Sequence, residues 1–160
     1  MLDRVRGSKR MAQTFLLIVL AFIALRVVIA VVSPKAIKIR PTDGQLPDCP
    51  DTPNCVSSQA ERADQKVEPL KFSCPTEEAM LRLKLAVDAL PGTKVMKDDR
   101  IYMHVEFKTL VFGFVDDVEF LIDENKKLIH IRSASRLGYS DLGTNRRRVE
   151  AIRRLFETVK

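Results

Sequence analysis

The sequence predicts an α+β domain: a small antiparallel sheet packed by two helices, preceded by an N-terminal transmembrane helix and a Pro-rich arm. Three observations predict it. Residues 11–32 form one apolar run. Three later stretches, 101–107, 117–122 and 128–133, alternate side-chain character with the period of a strand. Two more, from about Pro75 to Leu90 and from about Asn145 to Val159, repeat apolar residues with the period of a helix.

At 160 residues the chain has room for one domain and an appendage. Residues 1–10 are a basic segment carrying Arg4, Arg6, Lys9 and Arg10. The apolar run Met11–Val32 follows, interrupted chiefly by Gln13, Thr14 and Arg26. About 20 such residues span a bilayer core, and Arg26 lies near the far end, where a long side chain reaches the interface. A signal anchor is the leading reading. A cleaved signal peptide, with Val28-Ile29-Ala30 as a poor processing site, and a buried core helix are the alternatives. The basic residues before the segment slightly outweigh Lys35, Lys38 and Arg40 after it, which leans towards a cytoplasmic N-terminus.

Residues 33–72 read as an extended arm. Pro34, Pro41, Pro47, Pro50, Pro53 and Pro69 oppose regular structure, while "CPDTPNCVSS" is dense in residues that form turns. Cys49 and Cys55 stand close enough in this loop for a disulfide, which requires an oxidising compartment; two reduced thiols are the competing state. No second Cys/His pair with zinc spacing accompanies them, and Cys74 reads as a packing residue.

Residues 73–160 are the expected α+β domain. In its first helix Pro75 suits the opening position and Glu77 and Glu78 suit the positive end of the dipole. Ala79, Leu83, Ala86, Val87 and Leu90 make the apolar stripe, and Pro91-Gly92 ends it. The first strand alternates Ile101, Met103, Val105 and Phe107 with Tyr102, His104 and Glu106. The second alternates Val118, Phe120 and Ile122 with Asp117, Glu119 and Leu121. The third alternates Ile129 and Ile131 with His130 and Arg132. Val149, Ile152, Leu155, Phe156 and Val159 form the stripe of the last helix.

Placing Ile122 with Ile129 and Phe120 with Ile131 on the core face sets the hairpin register. Glu119 then opposes Arg132 on the polar face. Arg136, four residues on, keeps that face if the strand continues. Asp116 and Asp117 lie close in sequence to Glu119, and like charges repel unless cations or a ligand neutralise them. Two readings stand side by side: a satisfied structural network, and a ligand site built from the same charges. Arg146, Arg147 and Arg148 in the first turn of the last helix oppose its dipole. Asp141, as part of the cap, is one anion able to compensate; a bound phosphate, carboxylate or lipid headgroup is another. Gly138 and Gly143 let the connecting loop turn tightly.

Catalytic signals are thinner. Glu106, Asp116, Asp117 and Glu119, with His104 on the Glu106 face, have the chemistry for a hard cation or for acid–base work. No Ser-His-Asp order, Gly-rich phosphate loop or HExxH motif is present, and Ser133 and Ser135 read as core-side hydrogen-bonding residues. The net charge of +6 belongs mostly to the membrane end: residues 33–160 hold 22 Lys and Arg against 20 Asp and Glu, which argues against nucleic acid as a partner.

"CPDTPNCVSSQA", "FGFVDDVEFLID" and "IHIRSASRLGYSDLGTNRRRVEAI" together resemble the family catalogued as domain of unknown function 1499, over roughly residues 45–157. The resemblance implies a bacterial or plastid-associated protein with an N-terminal membrane or export segment. It implies no biochemical activity. Its motif positions are Cys49, Cys55, Asp116, Asp117, Glu119, Arg132, Ser133, Ser135, Arg136, Gly138, Asp141, Gly143 and Asn145.

The expectation is therefore a single-pass protein of the bacterial inner membrane with its C-terminal domain facing the periplasm. It acts as a binding or accessory domain, with no cofactor and no metal. Its partners are the membrane, an anionic small molecule or lipid headgroup, and a membrane protein. The ligand-binding candidates are Arg132, Arg136, Asp116, Asp117, Glu119, Asp141, Asn145 and Arg147. A hydrolase using the carboxylates, with or without a divalent metal, is the alternative; a structural subunit of a membrane complex is a third. Each predicts something different: carboxylates engaged by arginine for the binding domain, two carboxylates in a concave pocket for the enzyme, and an exposed apolar patch for the subunit.

Overall fold

In a computed structural model of the chain, residues 2–33, 41 and 44–159 are described, with side chains described from Met11 onward. The side chains of Arg4, Arg6, Lys9 and Arg10, and residues Pro34, Lys35, Lys38 and Arg40, lie outside the described set, so the basic balance around the apolar segment is a property of sequence alone.

Helix α1 runs from Leu2 to Val32, so the basic segment and the apolar run form one continuous helix. Its portion Met11–Val32 is long and apolar enough to cross a membrane. Most of its large side chains, Phe15, Leu16, Leu17 and Ile18 among them, are exposed, which removes the buried core helix from the three readings.

Six antiparallel strands follow, twice the number the alternation revealed. Their order is β1-β6-β5-β4-β3, with β2 also pairing β6. The central strands are the expected ones: β4 (Tyr102–Lys108), β5 (Val115–Asp123) and β6 (Leu128–Ser135). Glu119 opposes Arg132, Phe120 opposes Ile131 and Ile122 opposes Ile129, the register that burial of the isoleucines requires.

The arm needs correction. Cys55–Ser57 (β1) and Leu70–Lys71 (β2) both pair with β6, so part of residues 33–72 belongs to the sheet. Strands of three and two residues are too short to show a period, and the prolines that precede them, Pro53 and Pro69, mask them. The sixth strand, β3 (Thr93–Asp98), pairs only with β4 and shifts register between Val95 and Lys97. An edge strand with Val95 and Met96 both exposed has no apolar face to betray it.

Helices α2 (Thr76–Asp88) and α3 (Thr144–Thr158) cover one face of the sheet. Pro75 precedes α2 as its N-cap rather than opening it, because its ψ of 151° is extended. Gly92 is required where the chain turns into β3: φ is +77° and a Cβ would overlap the Lys108 carbonyl. Leu83, Val87, Val149 and Ile152 pack on Met103, Val105, Val118, Phe120 and Ile131, all fully or almost fully buried. Each such side chain contributes about 1.5–3 kcal/mol by leaving water.

The opposite face is not simply solvated. Leu46 of the arm lies over Tyr102 and Leu121 in a second, small cluster. The Leu46 amide donates to the Gln59 side chain, which fixes the arm across this face. Tyr102 and Leu121, placed by alternation on the more polar face, are buried for that reason.

Candidate functional site

The strand alternation that makes the sheet also divides its charges. On β5, Asp117 and Glu119 point to the arm-covered face, and Asp116 points with Val118 and Phe120 to the helix face. The acidic stretch is therefore two half-sites separated by the sheet.

On the arm-covered face, Arg132 Nη1 donates to Glu119 Oε2 at 2.9 Å, and the Tyr102 hydroxyl donates to Glu119 Oε1 at 2.9 Å. Arg132 Nη2 also reaches the Asp48 carbonyl. Its Nε is buried and has no hydrogen-bond partner among the described residues. Glu119 is only 4 % exposed. Burial, and then the neighbouring Glu119, raises the Tyr102 pKa above its ordinary value, so the hydroxyl remains a donor.

One step along, Arg136 donates through Nε and Nη2 to both oxygens of Asp117, at 2.8 and 2.7 Å, and through Nη2 to Glu106. His104 Nε2 lies 2.7 Å from Asp117 Oδ1. Burial pushes the Asp117 carboxyl up, but the bonds from Arg136 and His104 outweigh it and hold the carboxyl at about 2. The Arg136 guanidinium is correspondingly pushed above its ordinary range, chiefly by its bond to Asp117. His104 is thus part of this network rather than of a solvated face.

On the helix face, Arg148 donates to Asp116 Oδ2, to the Ser133 hydroxyl and to Asn145 Oδ1, and its guanidinium lies 4.9 Å from the centre of the Phe107 ring. Asn145, fully buried, is the hub. Its Oδ1 accepts from the Ser133 hydroxyl at 2.6 Å, and its Nδ2 donates to the Asn54 carbonyl at 2.8 Å and to the Ser135 hydroxyl. Ser133 and Ser135 are the core-side hydrogen-bonding residues their positions implied.

The cysteine loop joins this hub to the sheet edge. Cys49 and Cys55 form a disulfide, and Cys55 opens β1 opposite Ala134. Asn54, one residue earlier, donates to the Gly138 carbonyl at 2.6 Å while its own carbonyl receives Asn145. Sequence reasoning passed over Asn54 because turn-forming asparagines are common; its place inside the CPDTPNC motif was the available signal. Cys74 is free and packs against the core.

Asp141, two residues before the N-cap, supplies the carboxylate that caps the helix start. Its carboxylate accepts from the Gly143 amide at 2.9 Å and the Asn145 amide at 2.6 Å, while Gly143 takes φ of +76° at the N-cap. The three arginines of the first turn go different ways. Arg146 donates to the carbonyls of Asp64 and Lys66, and Arg148 is buried on Asp116. Arg147 donates only to the Leu142 carbonyl and the Thr144 hydroxyl, both neutral.

Among the described residues no group of three or more His, Cys, Asp or Glu side chains is disposed to hold a metal ion. Glu106, Asp116, Asp117 and Glu119 are each bound to an arginine. Arg147, by contrast, lines a groove of about 340 Å³ together with Lys108, Leu90, Pro91, Phe107 and Leu110. Neither Arg147 nor Lys108 has a carboxylate partner among the described residues. Lys108 was not among the candidates in the sequence, since nothing local marks it; the groove forms only where the ends of α2 and β4 meet the start of α3.

Fold and site together define a class: an α+β domain whose arginines and carboxylates lock its strands, its arm and its last helix to one another, carried behind one apolar helix. The chain belongs to the family described as protein of unknown function (DUF1499), whose model matches residues 45–156. The match begins at the arm that covers the sheet and ends in α3, so it includes the disulfide loop and both charge networks. No curated protein and no solved structure matches the chain.

Proposed function

We propose that the chain is a membrane-anchored accessory domain on the periplasmic side of the bacterial inner membrane, and that it holds an anionic or zwitterionic amphiphile in the groove between Leu90 and Arg147. The observation that carries this is the contrast between the two sets of cations. Arg132, Arg136 and Arg148 spend their charge on buried or half-buried carboxylates. Arg147 and Lys108 keep theirs beside apolar walls formed by Leu90, Pro91, Phe107 and Leu110. A headgroup anion suits the cations and an acyl chain suits the walls.

The same contrast weighs against turnover. A catalytic carboxylate has to exchange a proton near the working pH, whereas Asp117 is held at about 2 between Arg136 and His104. In this reading the anionic-ligand role narrows from Arg132, Arg136 and Arg147 to Arg147, joined by Lys108, and Asp116, Asp117, Glu119, Asp141 and Asn145 are the frame that positions it.

Native mass spectrometry of the full chain, extracted from vesicles of phosphatidylglycerol and phosphatidylcholine, tests the proposal. The wild type and an Arg154→Ala control retain phosphatidylglycerol, and a Lys108→Ala/Arg147→Ala variant loses it. Equal retention in the double variant overturns the assignment of the groove.

A further inference from the structure

The turn between β4 and β5 carries the sequence Thr109-Leu110-Val111-Phe112-Gly113-Phe114. Four of its six side chains are large and apolar, and all four are exposed: Leu110 at 74 %, Val111 at 58 %, Phe112 at 43 % and Phe114 at 36 %. A hairpin tip in water is normally polar, and a contiguous apolar patch of this kind marks a surface that meets something apolar. No acidic residue occurs between Phe107 and Val115, and the one charge is Lys108.

The tip's position says what it meets. The Phe112 ring lies 6.2 Å from the Phe22 ring of α1 and 6.0 Å from the Phe114 ring. Gly113 sits against Arg26, whose Nη2 would be 3.3 Å from a Cβ at that position. The tip therefore lies alongside the helix that is long and apolar enough to cross a membrane. Arg26 is placed to reach headgroups. Phe22 lies four residues, about 6 Å along the helix, before Arg26.

The tip's backbone also closes three hydrogen bonds on itself. The Thr109 amide donates to the Phe114 carbonyl, the Gly113 amide to the Thr109 carbonyl and the Phe114 amide to the Thr109 hydroxyl. Closing these bonds inside the turn lowers the cost of placing it in lipid.

We infer that the β4–β5 tip, Leu110–Phe114, inserts into the acyl region of the same leaflet that α1 enters, as a second and independent contact of the domain with the bilayer. Lys108 and Arg26 then reach towards the headgroups with their long side chains, and the groove lined by Leu110 and Arg147 opens towards the bilayer surface, where an amphiphile enters it. The inference rests on α1 as the membrane anchor, and the test separates the two.

The chain contains no tryptophan, so one introduced indole reports alone. Three single variants of the full chain are reconstituted in phosphatidylcholine–phosphatidylglycerol vesicles with bromine on the acyl chains, near the carbonyl or near the methyl end. Leu110→Trp reads the tip, Leu20→Trp reads α1, and Lys126→Trp reads the β5–β6 turn at the opposite end of the sheet. The expected result is a blue-shifted Leu110→Trp emission that is lost most strongly to bromine near the carbonyl end. Lys126→Trp remains unquenched with solvent-like emission, and Leu20→Trp is quenched. If Leu20→Trp is quenched and Leu110→Trp is not, the tip meets water or a protein partner and the inference falls while the anchor stands. If neither is quenched, both fall.

Discussion

Asp116 and Asp117 are neighbours in the chain and serve opposite faces of the sheet, Asp116 bound to Arg148 of α3 and Asp117 to Arg136 at the end of β6. The acidic pair is thus no charge cluster. It is a two-sided pin: one carboxylate ties β5 to the last helix, the other ties β5 to β4 and the loop beyond β6. Removing an arginine from either side leaves a buried or half-buried carboxylate without its cation, and the first prediction follows from that.

Arg136→Ala should destabilise the fold by about 2–3 kcal/mol, because Asp117 and Glu106, both half-buried, lose the cation that bonds them. Arg147→Ala removes only bonds to a loop carbonyl and a hydroxyl, and should cost less than about 1 kcal/mol. Urea denaturation of the full chain in detergent, followed by circular dichroism, compares them. Equal losses would place Arg147 in the structural frame and remove it from the groove.

Asn145→Ala should cost about 3 kcal/mol, at the upper end for one buried polar side chain, since it removes one of two donors to the Asn54 carbonyl, the donor to the Ser135 hydroxyl and the acceptor shared by the Ser133 hydroxyl and Arg148. Asp141→Ala, which removes the cap alone, should cost about 1 kcal/mol. The same denaturation series ranks them, and a smaller loss for Asn145 would show that the hub is replaceable by water.

Acid stability should carry the signature of Asp117. Its folded pKa of about 2 lies below the ordinary carboxylate value. Its contribution, about 2 kcal/mol, is fully present above about pH 4 and is lost as pH falls from there through about 2. The groups facing it are Arg136, His104 and Glu106. An Asp117→Asn variant, less stable at pH 7, should show a flatter loss of stability between about pH 4 and 2. Parallel slopes in variant and wild type would assign the acid transition to other groups.

The disulfide between Cys49 and Cys55 spans six residues. Closing so short a loop stabilises by about 2 kcal/mol in the chain-entropy account. Alkylation of protein taken from its native membrane and unfolded without reductant should label Cys74 alone. Labelling of all three cysteines would place the domain in a reducing compartment and overturn the proposed periplasmic orientation.

The hairpin register shows how far sequence reaches. Burying Ile122 with Ile129 and Phe120 with Ile131 leaves Glu119 opposite Arg132, and the structure has that pairing. The same one-dimensional logic found α1, the two covering helices, the β4–β6 core and the cap at Asp141, because each depends on a period or a local motif of a few residues. It missed β1, β2 and β3, whose pairing partners and not their own patterns make them strands.

What sequence by itself determined is the class of fold, the apolar helix, the family and the list of charged residues worth watching. Which of those charges are frame and which are available was decided only by tertiary structure. Leu46 packs on Tyr102 and Leu121 on the face that carries Glu119, Arg148 turns inward to Asp116, and Arg147 one residue earlier turns to a groove that three chain segments build together. The physical reason is that a charge's role depends on its solvent exposure and on partners tens of residues away, and neither quantity has a local signature in the chain.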